Sequence, residues 1–131
     1  MEILDTIGDT PLVKISDNLY AKLELYNPTG SIKDRMASWV LSKAEEKGEL
    51  KPGDTIVEAS SGNTGIAFSM LGSVKGYKVI IILPENMSEE RKQMMKLFGA
   101  ELIEVGPSDF KGASALRDKM VEQNDNYFSP N

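Results

Sequence analysis

Two short stretches hold the residues whose types and spacing could do chemistry. The first, Asn27-Pro28-Thr29-Gly30-Ser31-Ile32-Lys33-Asp34-Arg35, sets a lysine in what reads as the opening turn of a helix. The second, Glu58-Ala59-Ser60-Ser61-Gly62-Asn63-Thr64-Gly65, brings the hydroxyl and amide groups of Ser60, Ser61, Asn63 and Thr64 to the start of another helix. The first N–H groups of a helix have no internal partner, so a small-residue loop of this kind can hold an anion. Lysine is a poor charge for a first turn, where the macrodipole favours acids. A lysine that forms a Schiff base with a carbonyl needs its amine neutral, and the dipole and partial burial both push in that direction. Each loop also has a plain reading. Pro-Thr-Gly-Ser is a good turn ending in a Ser31 N-cap, Lys33-Asp34-Arg35 could be a solvated first turn, and Ser-Ser-Gly-Asn is ordinary turn composition.

The elements that must position these loops follow from hydrophobic periodicity. Leu12 to Ile15 and Leu19 to Leu25 alternate as strands do, and the latter leads into the first loop. The helix after Ser31 carries Ile32, Met36 and Val40 on one face, with Ala37, Leu41 and Ala44 beside it, and stops near Gly48. Thr55 to Ala59 is a buried strand feeding the second loop, followed by a helix with Ala67, Met70, Leu71 and Val74 at helical spacing. Lys78 to Leu83 is the most apolar strand, as a central parallel strand covered on both faces should be. Ser88 N-caps a helix running through Met94, Met95 and Phe98, and Glu101 to Val105 is a further strand. A last helix holds Ala113, Leu116, Met120 and Val121, before Tyr127-Phe128.

Strands alternating with helices are the signature of a parallel sheet with right-handed crossovers. The expected fold class is α/β: a three-layer domain with a small, mostly parallel sheet of about four strands flanked by helices. Ligands of such sheets collect beyond the carboxyl ends of the strands. Since both motifs follow strand-like runs, Lys33 is expected to face the Ser60–Thr64 loop across one cleft.

In this order and at this spacing the two motifs resemble those of the cysteine synthase (O-acetylserine sulfhydrylase) and cystathionine β-synthase group. These are fold-type II pyridoxal-phosphate enzymes. The resemblance runs from Ile7-Gly8-Asp9-Thr10-Pro11-Leu12-Val13 to Tyr127-Phe128. It implies pyridoxal 5'-phosphate as cofactor, carried by Lys33 through a Schiff base, with Asn63 hydrogen-bonding the ring hydroxyl. It implies that Ser60, Ser61, Asn63 and Thr64 receive the carboxylate of an amino-acid substrate such as O-acetylserine. The freed Lys33 amine would take the Cα proton; acetate would leave and sulfide would add, giving cysteine. Serine or threonine dehydratases and threonine synthase resemble the chain less at both loops, and a dehydratase-like lyase is an alternative activity.

Two departures from the pattern stand out. Ala59-Ser60 occupies a place where many similar enzymes have Pro-Thr, although the Ser60 hydroxyl keeps the carboxylate donor. The second departure is length. No Gly-rich cradle for the cofactor phosphate is present besides Gly62-Asn63-Thr64-Gly65, which the resemblance assigns to the carboxylate. Residues 1–131 thus read as the N-terminal, lysine-bearing domain of such an enzyme, with 1–16 as a lead-in that the family packs largely on the second domain. Such a half-enzyme is expected to be weak or inactive alone, and to form a homo-oligomer or pair with a complementing C-terminal domain. A non-catalytic folding or interaction fragment is the alternative.

Composition bounds the chemistry independently. With no cysteine and no histidine, disulfides, thiolate catalysis, imidazole bases and His or Cys metal ligands are all excluded, so no metal site is expected. Acid–base work must fall to lysine, carboxylates, tyrosine or a cofactor, and a lysine-bound pyridoxal suits that set. A net charge of −5 with scattered Lys and Arg leaves no nucleic-acid footprint and no polybasic membrane patch. No apolar run approaches a membrane span, and Met1-Glu2-Ile3 opens no signal peptide, so a cytoplasmic protein is expected.

Overall fold

The computed structural model describes residues Met1–Asn131. The chain forms strands β1 (Leu12–Ser16) and β2 (Leu19–Lys22), helix α1 (Lys33–Lys47), β3 (Thr55–Ala59), α2 (Asn63–Lys75), β4 (Lys78–Pro84), α3 (Glu89–Leu97), β5 (Glu101–Val105), α4 (Phe110–Glu122) and β6 (Tyr127–Phe128). Four of the strands make a wholly parallel sheet in the order β5-β4-β3-β6. Its two faces are separated by simple alternation along the strands. Ile56, Val79, Ile81 and Leu83 face α1, α2 and α3. Val57, Ile80 and Ile82 face Ala113 of α4. The expected three-layer α/β domain is therefore the one that forms.

Helix α2 is buried along its first eight interior positions, Gly65 to Gly72, on every side. It is enclosed between the sheet, α1 and α3, so its composition is apolar all round and not a stripe. Gly72 lets it sit close to β4: a Cβ there would lie 2.2 Å from Val79 Cγ2.

Three expectations are corrected. Leu19 to Leu25 is not one strand feeding the main sheet. β2 stops at Lys22 and pairs only with β1, in a separate antiparallel hairpin, and Glu24–Tyr26 is a 3₁₀ turn. On α1 the buried stripe is Ala37, Leu41 and Ala44, while Ile32 and Met36 are exposed, because α2 covers the former face. The first N-cap also differs. Ser31 lies one residue outside α1, accepting from the Lys33 N–H at 3.2 Å, whereas Ser88 is the N-cap of α3 as expected, without a side-chain capping bond.

The lead-in is only partly uncovered. Leu4 and Ile7 pack on the main core, whereas Ile3, Leu12 and Ile15 stand exposed. It is fastened by polar contacts. Glu24 accepts from Arg35 Nε at 2.8 Å and Arg35 Nη2 at 3.1 Å, from Thr10 Oγ1 at 2.9 Å and from Asn27 Nδ2 at 2.8 Å. Asn27 in turn accepts the Gly8 N–H at 2.9 Å. The Arg35 guanidinium, foremost, pulls the Glu24 carboxyl down to about 2. No helix is long and apolar enough to cross a membrane.

Candidate active site

The loop between β3 and α2 is shaped by its own first hydroxyl. Ser60 N–H continues the ladder to Ile82 O at 3.1 Å, and Ser60 Oγ then accepts the N–H of Gly65 at 2.9 Å and of Gly62 at 3.4 Å. This closes the loop into a ring whose centre is the serine oxygen. Gly65 is required there, since a Cβ would fall 2.9 Å from Met95 Cε and 3.2 Å from Ser60 O. Because its lone pairs are engaged, Ser60 keeps its own hydroxyl proton to donate outward.

Beyond the carboxyl ends of β3 and β4 the loop borders a concavity of about 340 Å³. Ser60, Ser61, Asn63 and Thr64 all line it, so the structure brings together the four residues expected to meet a carboxylate. The side chains of Ser61, Asn63 and Thr64 have no hydrogen-bond partner within the chain. The opposite wall, Phe110, Ala113 and Ser114 of α4 with Ile82 and Pro84 beneath, was not legible in the sequence as part of a site. The one signal the sequence holds is a large apolar residue, Phe110, directly after the Gly106-Pro107-Ser108-Asp109 loop.

Lys33 comes from a different helix. It is the first residue of α1, and its amine makes no ion pair or hydrogen bond in the chain. It is exposed, so the partial burial expected around it is not supplied by these residues. It does not line the concavity of the Ser60–Thr64 loop, and the strand preceding it belongs to a different sheet from β3. The basis for a common sheet edge therefore falls. What relates the two stretches is α1 itself, packed along α2 through Ala37, Leu41 and Ala44.

The turn that starts α1 is nonetheless firmly built. Asp34 is fully buried and accepts the Thr29 N–H at 2.7 Å and the Thr29 hydroxyl. The residue next to the lysine is thus an internal brace for the Pro28–Ser31 turn, which excludes the reading of Lys33-Asp34-Arg35 as a wholly solvated turn. The fold commits Asp34 inward and leaves Lys33 outward and unpaired.

The donor set suits pyridoxal phosphate in part. A free amine, a free carboxamide at Asn63 and three hydroxyls are what its aldehyde, its ring hydroxyl and a substrate carboxylate require. A cradle for its phosphate is not found among these residues.

Known proteins resemble this chain over nearly its whole length. Residues 3–131 match the family described as "Pyridoxal-phosphate dependent enzyme". "Cysteine synthase B" of Pseudomonas aeruginosa is 48% identical over 129 residues, covering 92% of this chain and 43% of that protein. "Cysteine synthase" of Staphylococcus aureus is 44% identical over 135 residues, covering 98% of this chain and 44% of that protein. Among solved structures, cysteine synthase from Entamoeba histolytica superposes with a TM-score of 0.92 at 42% identity, over 98% of this chain and 42% of that one. O-ureido-L-serine synthase gives a TM-score of 0.90 at 40% identity over the same 98% and 42%. The chain therefore spans less than half the length of these relatives, and over that span it belongs to the pyridoxal-phosphate dependent enzyme family.

Proposed function

We propose that this chain is the lysine-bearing half of a pyridoxal-phosphate β-replacement enzyme of the cysteine synthase type, converting O-acetylserine and sulfide to cysteine and acetate. The observation that carries this reading is the set of uncommitted polar groups. Ser61, Asn63 and Thr64 line one concavity beside Ser60 with no side-chain partner in the chain, and the Lys33 amine at the start of α1 is likewise unpaired. Groups held on firm turns and left unpaired are available to a ligand.

In this reading Lys33 holds the cofactor aldehyde and Asn63 meets its ring hydroxyl. When bound, the cofactor supplies an electron sink for the carbon next to the substrate carboxylate. The chain's own residues do the rest. The Ser60 hydroxyl, oriented by the Gly65 N–H, donates to the carboxylate together with Ser61, Thr64 and the first N–H groups of α2. The Lys33 amine removes the Cα proton as general base, and its lack of an ion-pair partner leaves it free to do so. The remainder of the enclosure, including a phosphate cradle, comes from outside these residues, from a complementing domain.

The test is direct: add pyridoxal 5'-phosphate, reduce with borohydride and map the modified lysine by mass spectrometry. Label at Lys33, lost in Lys33→Ala, is the expected result. Label spread over other lysines and unaffected by Lys33→Ala would remove the reading. The isolated chain is expected to turn over O-acetylserine negligibly, since each charge-assisted hydrogen bond missing from the cofactor phosphate is worth roughly 1.5–3 kcal/mol.

A further inference from the structure

The loop that closes around Ser60 starts from a strand end that β6 does not reach. Successive N–H groups along a strand point to opposite edges. Ser60 N–H reaches Ile82 on β4, so Ala59 N–H points to the β6 side. There β6 is only two residues long and pairs with Thr55 and Ile56, leaving nothing opposite Ala59. The gap is filled from within the motif. Glu58 Oε1 turns back and accepts the Ala59 N–H at 2.7 Å.

That carboxylate is buried, with a side chain only 8% exposed, so it needs a cation. Arg117, likewise 8% exposed, reaches it from α4 with Nη1 at 3.4 Å. The guanidinium is itself aimed: Nε and Nη2 bind Asp118 Oδ1 at 2.9 and 2.8 Å, and Nη1 also donates to Asn131 Oδ1 at 3.1 Å. Burial pushes the Glu58 carboxyl up from its ordinary range, while the Ala59 N–H and Arg117 pull it back.

We propose that Glu58 and Arg117 are positioning residues for the Ser60–Thr64 loop: the carboxylate, neutralised from α4, takes the place of a missing strand partner and fixes the peptide from which Ser60 emerges. Neither side chain lines the concavity, so both act through Ser60. The assignment deepens the carboxylate-cradle reading of the loop and rests on it for its functional meaning.

Two uncharged double variants of the ¹⁵N-labelled chain isolate the acceptor from the ion pair. Glu58→Gln with Arg117→Met keeps an oxygen for the Ala59 N–H. Glu58→Met with Arg117→Met removes it without burying a lone charge. Loss of a hydrogen bond to a buried group corresponds to roughly tenfold in a local opening equilibrium. Amide exchange at Ala59, Gly62 and Gly65 is therefore expected to rise about tenfold in the Met/Met variant and to stay near wild type in the Gln/Met variant, with α3 unchanged in both. Equal exchange in the two variants overturns the proposal. A Met/Met chain that fails to fold while the Gln/Met chain folds supports it. Failure of both leaves Glu58→Gln alone as the deciding variant, and faster exchange at Ala59 in that chain overturns it. L-serine titration, followed at the Ser61–Gly65 amides, is expected to need about tenfold more ligand in Met/Met than in Gln/Met. A wild-type chain that does not respond to L-serine would sink the cradle reading, while the ligand-free exchange ratio still decides the pair.

Discussion

The two loop-to-helix junctions of this chain are alike in sequence and differ in what holds them. The Ser60–Thr64 loop grows out of β3, buried over its first four residues, and into α2, buried from Gly65 to Gly72. The Lys33 junction grows out of an exposed hairpin and is fastened by a polar network centred on Glu24 and Arg35. Both carry a carboxylate–guanidinium tie, but Glu58–Arg117 sits within apolar packing that cannot be titrated, whereas Glu24–Arg35 joins less buried elements. The difference teaches that the Lys33 turn and the Ser60–Thr64 loop are under separate physical control, and perturbations should reach one without the other.

The largest effect is expected where the enclosed side is tightest. Gly72→Ala drives a Cβ to 2.2 Å from Val79 Cγ2 and 3.4 Å from Ile56 Cδ1. Overpacking of this kind costs roughly 1–3 kcal/mol, so the thermal midpoint should fall and Val79→Ala in the same chain should recover part of the loss. An unchanged midpoint would show that α2 is not the rigid support described above.

Next comes pH, which should separate the two regions at opposite ends of the scale. The Glu24 carboxyl falls from 4.5 to about 2 on folding, chiefly through its hydrogen bond to Arg35. A depressed acid contributes stability above its unfolded value and loses it as the pH falls toward the folded one. Between pH 4.5 and about 2 the hairpin amides should lose protection before those of α2. In base the tie that fails is another. Tyr77 donates to Glu45 of α1 at 2.9 Å, and burial first, then that bond, push its phenol from 10.0 up to about 12. A raised acid contributes stability below its unfolded value, lost as the pH climbs from 10.0 to about 12, so α1 should loosen from α2 there. Simultaneous loss of both regions at either end would erase the distinction.

A smaller effect concerns association. Leu12, Ile15, Leu19 and Tyr20 stand more than half exposed on a two-stranded hairpin with free edges. Exposed edges and apolar patches favour self-pairing. Sedimentation at rising concentration should show oligomers, and Leu12→Lys with Ile15→Lys should shift them toward monomer. A wild-type chain that remains monomeric throughout would refute this. The smallest effect is expected at Lys33. Lys33→Ala should leave stability within about 0.5 kcal/mol, because the side chain is exposed and unpaired.

Much of this was readable beforehand, and the misses have definite causes. Ala37, Leu41 and Ala44 could not be told from the neighbouring Ile32, Met36 and Val40 by periodicity, because both triplets recur at helical spacing. Only the position of α2 decides between them. Leu19 to Leu25 alternates over its whole length, yet the chain turns at Leu23 because Glu24 is claimed by Arg35 and Thr10, neither adjacent in sequence. Arg117 was invisible for the same reason. Its partner Glu58 lies 59 residues away, and a charged residue between apolar ones on a helix reads as solvated.

By itself, then, the sequence determined the α/β class, the two motifs, the absence of thiol and imidazole chemistry and the family. Each follows from local periodicity, composition or contiguous residues. The tertiary structure alone decided that β2 stands apart from the main sheet, that the wall opposite Ser60 comes from α4, and that Lys33 is outward while Asp34 is inward. Those outcomes depend on which distant surfaces meet, and packing between elements is set by shape and charge over separations that no local pattern encodes.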